Sequence, residues 1–72
     1  MIRYEVDLRD METGDSVQTA VYVTFDSDEA WRFVDRWNQK HITNYNPNLS
    51  VDEYICSENG TGLIADCYYV EL

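Results

Sequence analysis

"DSDEAWRFVDRW", residues 26–37, places four acids, two arginines and both tryptophans of the chain in twelve positions. Its periodicity decides the fold. At 100° per residue Ala30, Val34, Trp37 and, just beyond, His41 fall on one narrow face, with Trp31 and Phe33 on opposite borders. Asp26 or Ser27 can accept hydrogen bonds from the free amides of a helix start, and Asp28 and Glu29 suit its positive end. Asp26 with Glu29 has capping-box spacing, with Asp in place of Ser or Thr. The pattern predicts one amphipathic helix over about residues 27–41, laid on a sheet with Trp37, Val34 and Ala30 in the core. On its outer side Arg32, Arg36 and Lys40 follow at i, i+4, i+8, using three of only five basic residues. Asp28 stands four before Arg32, a spacing worth roughly 0.3–0.5 kcal/mol in a helix. The plain reading of this stripe is a solvated face. The alternative is an electrostatic contact with a partner or with the acidic sheet of a second copy.

Working outward, "IRYEVDLR", residues 2–9, alternates strictly. Ile2, Tyr4, Val6 and Leu8 share one face; Arg3, Glu5, Asp7 and Arg9 share the other. "VQTAVYVTF", residues 17–25, alternates as well, with Val17, Thr19, Val21, Val23 and Phe25 together. A turn centred on Thr13-Gly14 would set Leu8 against Thr19, Val6 against Val21, Tyr4 against Val23 and Ile2 against Phe25. That register joins the two apolar faces. After the helix, three asparagines and the only proline mark a loop.

"LIADCYYVEL", residues 63–72, reads as a strand. "SVDEYIC", residues 50–56, is ambiguous: Ser50 and Glu53 form a capping box, while Tyr54-Ile55-Cys56 favours a strand. With "ENGTG", residues 58–62, as a hairpin signal, the strand is favoured. The expected fold is therefore α+β, a single domain over residues 1–72 in ββαββ order, with an antiparallel sheet and one helix on one face. The last strand carries apolar residues on both faces, and a single helix covers only one. Either the uncovered set leaves an exposed face containing Tyr22, Tyr54, Cys67 and Tyr69, the kind of surface that marks interfaces, or the last strand is central in a strongly curved sheet and buried on both sides.

Seventy-two residues bury only about 60% of their unfolded surface, so stability is marginal and dimerisation a natural supplement. No apolar run reaches membrane-spanning length, and the N-terminus alternates instead of forming a signal-peptide core, so a soluble cytoplasmic protein is expected. Two cysteines, Cys56 and Cys67, are too few for a secreted disulfide scaffold and match no common metal spacing.

Fourteen acids against five bases give −9. That charge disfavours direct nucleic-acid binding and anionic membranes, and favours basic protein partners, including nucleic-acid-binding proteins. No motif for catalysis, metal or cofactor is present: His41 reads as a partly packed helix-end residue, and the acids around Gly14 lack the length and final Glu of a calcium loop. The expected function is a small acidic, non-enzymatic protein-binding module. It would act as an inhibitor of phage or mobile-element type, a DNA mimic blocking a basic surface. Its candidate binding acids are Glu5 and Asp7, the tip acids Asp10, Glu12 and Asp15, and Asp52, Glu53, Glu58, Asp66 and Glu71. The alternative is a structural module that forms a homodimer through the Tyr/Cys face, with the acids serving solubility.

Overall fold

The computed structural model describes residues 1–55 and 62–72. In chain order it contains β1 (Ile2–Asp10), β2 (Ser16–Thr24), α1 (Ser27–His41), α2 (Val51–Ile55) and β3 (Leu63–Glu71). The strands form an antiparallel sheet in the order β2-β1-β3, so β1 is central and both others are edges. The helix α1 lies across one face. Val6 and Leu8 of β1, Ala65 of β3, and Ala30 and Val34 of α1 form the core, with Tyr4, Tyr22, Phe33 and Trp37 packed around it.

The α+β architecture and the bounds of α1 match the sequence expectation; the element order does not. The chain runs ββααβ through the described residues, not ββαββ. The segment favoured as a fourth strand is helical over Val51–Ile55. The capping box explains this. The Glu53 amide donates to Ser50 Oγ at 3.2 Å, and the Ser50 amide donates to the Glu53 carboxylate at 3.3 Å. Two otherwise orphaned amides are thus satisfied within one turn, which outweighs the strand preference of Tyr54 and Ile55. β3 takes β1 as its neighbour instead. The expected second turn, apart from Gly62, lies outside the described residues, as do Cys56 and Glu58.

The first hairpin forms with a different register. Four residues, 11–14, make its loop: the Asp10 amide donates to Asp15 O at 2.8 Å and the Gly14 amide to Asp10 O at 2.7 Å, with Gly14 at φ +80°. Further along, Val6 stands opposite Tyr22 and Tyr4 opposite Thr24, after irregularities on either side of Leu8. Asp7 holds that irregular stretch. Its carboxylate accepts the Ala20 amide at 2.9 Å and the Ser16 hydroxyl at 3.2 Å, with Ala20 at φ +52°. The net slip of one residue turns β2 over. Tyr22 faces α1 and stacks on Phe33, while Val17, Val21 and Val23 are exposed.

The N-cap is half of the expected box. Asp26 accepts the Asp28 amide at 2.9 Å, but Glu29 takes the Thr24 hydroxyl at 3.0 Å instead of returning to Asp26. Thr24 Oγ1 accepts the Asp26 amide in its place, at 3.1 Å. Trp37 is half-buried at the core margin, not enclosed, and stacks on the exposed His41.

The buried polar residue of α1 is Asn38, which is 0% exposed. Its side-chain amide donates to Ala65 O at 3.2 Å, and its carbonyl oxygen accepts the Ala65 amide at 2.8 Å. Ala65 points these groups away from β1, so Asn38 does there what a further strand would do.

Two stability outcomes follow from these contacts. Asn38→Ala leaves a buried N–H and C=O of Ala65 without partners, and denaturant unfolding should show a loss of roughly 2–4 kcal/mol. Ala20→Gly relieves a left-handed residue on an exposed strand and should raise stability by about 0.5–1 kcal/mol. A loss on Ala20→Gly would mean that Ala20 is not held in that conformation.

Candidate functional site

Chemistry-bearing side chains converge beside the outer edge of β3. A cleft of about 570 Å³ opens between α1 and the 45–52 segment. From α1 come Trp31, 48% exposed, and the exposed Asp35, with buried Val34 beneath them. Tyr45 and Pro47 form the facing wall, and Asp52 and Asp66 add carboxylates from α2 and β3. The wall is held locally: Tyr45 stacks on Tyr54 with centroids 5.5 Å apart, and the Asn46 amide donates to the Tyr54 hydroxyl. Asn46 Oδ1 accepts the Asn48 amide at 3.0 Å, closing the turn around Pro47.

Three carboxylates and two exposed or half-exposed aromatic rings therefore line one cleft, with Asp66 already bound to Arg9 and to the Cys67 amide. Arg9 is the cation that reaches the acids, at 2.9 Å from Asp66 and 3.4 Å from Asp52. Burial works against the Arg9 charge, but the Asp66 hydrogen bond and surrounding negative charge prevail and raise its pKa. Among the described residues no group of three His, Cys, Asp or Glu is arranged to hold a metal ion. Rings beside spaced carboxylates suit an organic cation, a guanidinium or ammonium, which gains from the ring faces and from the acids together.

The other acids singled out from the sequence divide into two groups. Glu5 is ion-paired with Arg3 at 2.9 Å, and Asp7 is committed to Ala20 and Ser16. Asp10 accepts the amides of Glu12 and Thr13 at the hairpin loop, and Glu53 caps α2. These side chains build the fold. Glu12, Asp15 and Glu71 are exposed, but Glu12 and Asp15 sit at the hairpin tip whereas Glu71 ends β3. The ten acids do not form one row. Glu58 lies outside the described residues. Asp35, which the sequence reading did not single out, joins Asp52 and Asp66; its helical spacing from Trp31, i to i+4, was the available signal.

Tyr22, Cys67 and Tyr69 do share one sheet face by register, but it is the face on which α1 packs, and Tyr54 is not on it. Tyr22 and Cys67 pack against the core under α1, Tyr54 belongs to α2, and Tyr69 is 69% exposed at the end of β3. The exposed sheet surface is on the opposite face, at the end away from the buried Ile64. There the Arg3–Glu5 pair of β1 is flanked by Val21 and Val23 of β2 and by Tyr68 and Val70 of β3, all at least 36% exposed. Asp28 and Arg32 are not among the ion pairs of the described residues, and no helix there is long and apolar enough to cross a membrane.

Burial, and then the charge of Asp66, push the Cys67 thiol pKa up. Burial raises the Tyr45 and Tyr68 phenols too, with Asp66 adding to the shift at Tyr68. All three groups favour their protonated forms in the folded state, so their contribution is complete below the unfolded pKa values. It is lost as pH rises through the folded ones. Unfolding midpoints should fall above about pH 9. In a Cys56→Ser background, Cys67 should alkylate at pH 7 more slowly than free cysteine, because the thiolate fraction is reduced. Equal rates would remove the burial argument. Comparison with known proteins gives no match to a family model, to a curated protein or to a solved structure.

Proposed function

We propose that the protein is a non-enzymatic, cytoplasmic protein-binding module that engages a basic surface of a partner, such as a nucleic-acid-binding protein. The observation that carries this reading is the cleft lined by Trp31, Asp35, Tyr45, Asp52 and Asp66. A Lys or Arg side chain of the partner would enter it, and the net charge of −9 would steer the encounter from a distance. The blocking of a nucleic-acid-binding face, in the manner of a DNA mimic, is the finer form of this proposal. It rests on total charge and on Asp35 and Asp52 of the cleft, since Glu5, Asp7, Asp10, Glu53 and Asp66 are engaged in contacts of the fold itself.

The test is capture from the native host by the tagged chain, with elution by moderate salt. Charge reversal in the cleft, Asp35→Lys with Asp52→Lys, should reduce capture at least about tenfold, the size expected for two desolvated charge contacts. Reversal at the hairpin tip, Glu12→Lys with Asp15→Lys, should reduce it less than about threefold, through steering alone. Equal losses from the two pairs would remove the cleft from the proposal.

A second reading has its own observation. The exposed Val21, Val23, Tyr68 and Val70 give the sheet an apolar open face, and two such faces stacked about 10 Å apart would make a homodimer. On this reading sedimentation at micromolar concentration shows a dimer that persists in high salt and is lost on Val23→Lys. A salt-independent monomer rules it out.

A further inference from the structure

Arg3 and Arg9 are both ion-paired, which leaves Arg32, Arg36 and Lys40 as the arginine and lysine side chains without an ion pair among the described residues. All three line one groove of about 620 Å³ on the flank of α1 that faces Tyr22 of β2. This is on the other side of the helix from the acidic cleft.

The walls of the groove are aromatic. Tyr22 and Phe33 stack with centroids 4.6 Å apart and planes 1° apart, and Trp37 and His41 stack at 4.0 Å and 21°. The His41 ring is fixed as well as stacked, with Nδ1 2.8 Å from Trp37 O. One end of the groove is negative, because Glu29 sits there holding the hydroxyls of Thr24 and Tyr22 at 3.0 and 3.4 Å. Glu29 and Lys40 are eleven positions apart on the helix, about 16 Å along its axis. The groove thus has a direction, from a carboxylate at one end to cations toward the other.

We propose that this groove binds a small planar aromatic anion, a ring system carrying a phosphate or a carboxylate. The ring lies on the outer face of the exposed His41, the face that Trp37 does not cover. The anionic group meets Arg36 and Lys40, with Arg32 beside them and away from Glu29. Stacking and cation contacts are both available to such a ligand, and each alone is weak at an exposed site. A bare inorganic anion gains nothing from the rings, and the Arg and Lys residues are exposed to solvent. A long polyanion meets the repulsion of the whole chain at −9, whereas a small ligand within a Debye length of three cations meets mainly their local field. The size suits a mononucleotide or a two-ring acid, since small-molecule sites span roughly 300–1,000 Å³.

The experiment uses the full chain carrying Trp31→Phe, so that Trp37 is its only tryptophan. Adenosine 5′-monophosphate and 1-naphthoate are the ring anions; adenosine and inorganic phosphate are the controls. The expected result is saturable quenching of Trp37 with a matching rise in melting temperature for at least one ring anion, and at least about tenfold weaker binding of both controls. Preference for the monophosphate assigns a phosphate ligand, and preference for naphthoate a carboxylate. Arg32→Gln with Arg36→Gln changes exposed positions only and should weaken binding at least about tenfold while circular dichroism stays unchanged. The proposal is overturned if neither ring anion binds, if adenosine binds as well as its monophosphate, or if the double glutamine variant keeps full affinity.

Discussion

The contact on which the rest of the molecule depends is the pair of hydrogen bonds between the Asn38 side chain and the backbone of Ala65. An edge strand offers unpaired amides and carbonyls to any passing strand. Here a helix residue occupies that edge at its most buried point, and the Cys67 amide, next along the same edge, is taken by the Asp66 carboxylate at 2.9 Å. Apolar packing of Ala30 and Val34 would allow α1 to slide or rotate. A two-point amide contact does not, so the helix has one rotation about its axis.

That rotation distributes every surface the protein presents. With the Ala30–Val34–Asn38 seam facing the sheet, Trp31 and Asp35 turn to the β3 side and the Phe33–Trp37–His41 row turns to the β2 side. Arg32, Arg36 and Lys40 follow the second flank. The acidic cleft and the cationic groove are therefore two sides of one fifteen-residue helix. Charge is segregated despite the large net excess, because Arg3 and Arg9 are drawn into the sheet as internal counter-ions. Pairs this close to the surface add little stability. Their consequence is positional: they leave α1 as the carrier of the remaining basic residues.

The legible parts of the fold were those set by local chemistry. The alternation in β1, the cap and periodicity of α1, and the final strand required only nearest neighbours and a single period. The β2 register was not legible because it depends on Asp7 reaching Ala20 and Ser16, contacts between strands that pattern matching of apolar faces ignores. Matching Val to Val would have buried more apolar surface in the hairpin. The observed slip buries Tyr22 against Phe33 instead, a partner that exists only once α1 is in place. The residues 51–55 carried both signals, and the capping box was the better one because it satisfies backbone groups directly. Asn38 lay within the predicted apolar arc of the helix, but a polar residue there carries no weight in a hydrophobic pattern. Its partner is a backbone edge that the sequence does not display. The same reason hid the cleft, since Asp35, Asp52 and Asp66 come from three elements whose meeting depends on that seam.

The two walls of the cleft differ in how firmly they are held. α1 is fixed by core packing and by Asn38, but α2 has five residues, too few to be stable as an isolated helix. What holds it is the Ser50–Glu53 box, the Tyr45–Tyr54 stack and the reach of Arg9 to Asp52. Arg9 also donates to Gly14 O at 3.0 Å, so the same guanidinium ties the hairpin loop, β3 and α2 together. A guanidinium or ammonium entering the cleft would compete with Arg9 for Asp52 and Asp66. The firmer Asp66 contact, at 2.9 Å between two largely buried groups, resists that exchange; the 3.4 Å contact to a carboxylate that is 85% exposed does not. Asp52 is therefore the carboxylate free to change partners, and Asp66 the one that keeps Arg9 in the fold while it does so.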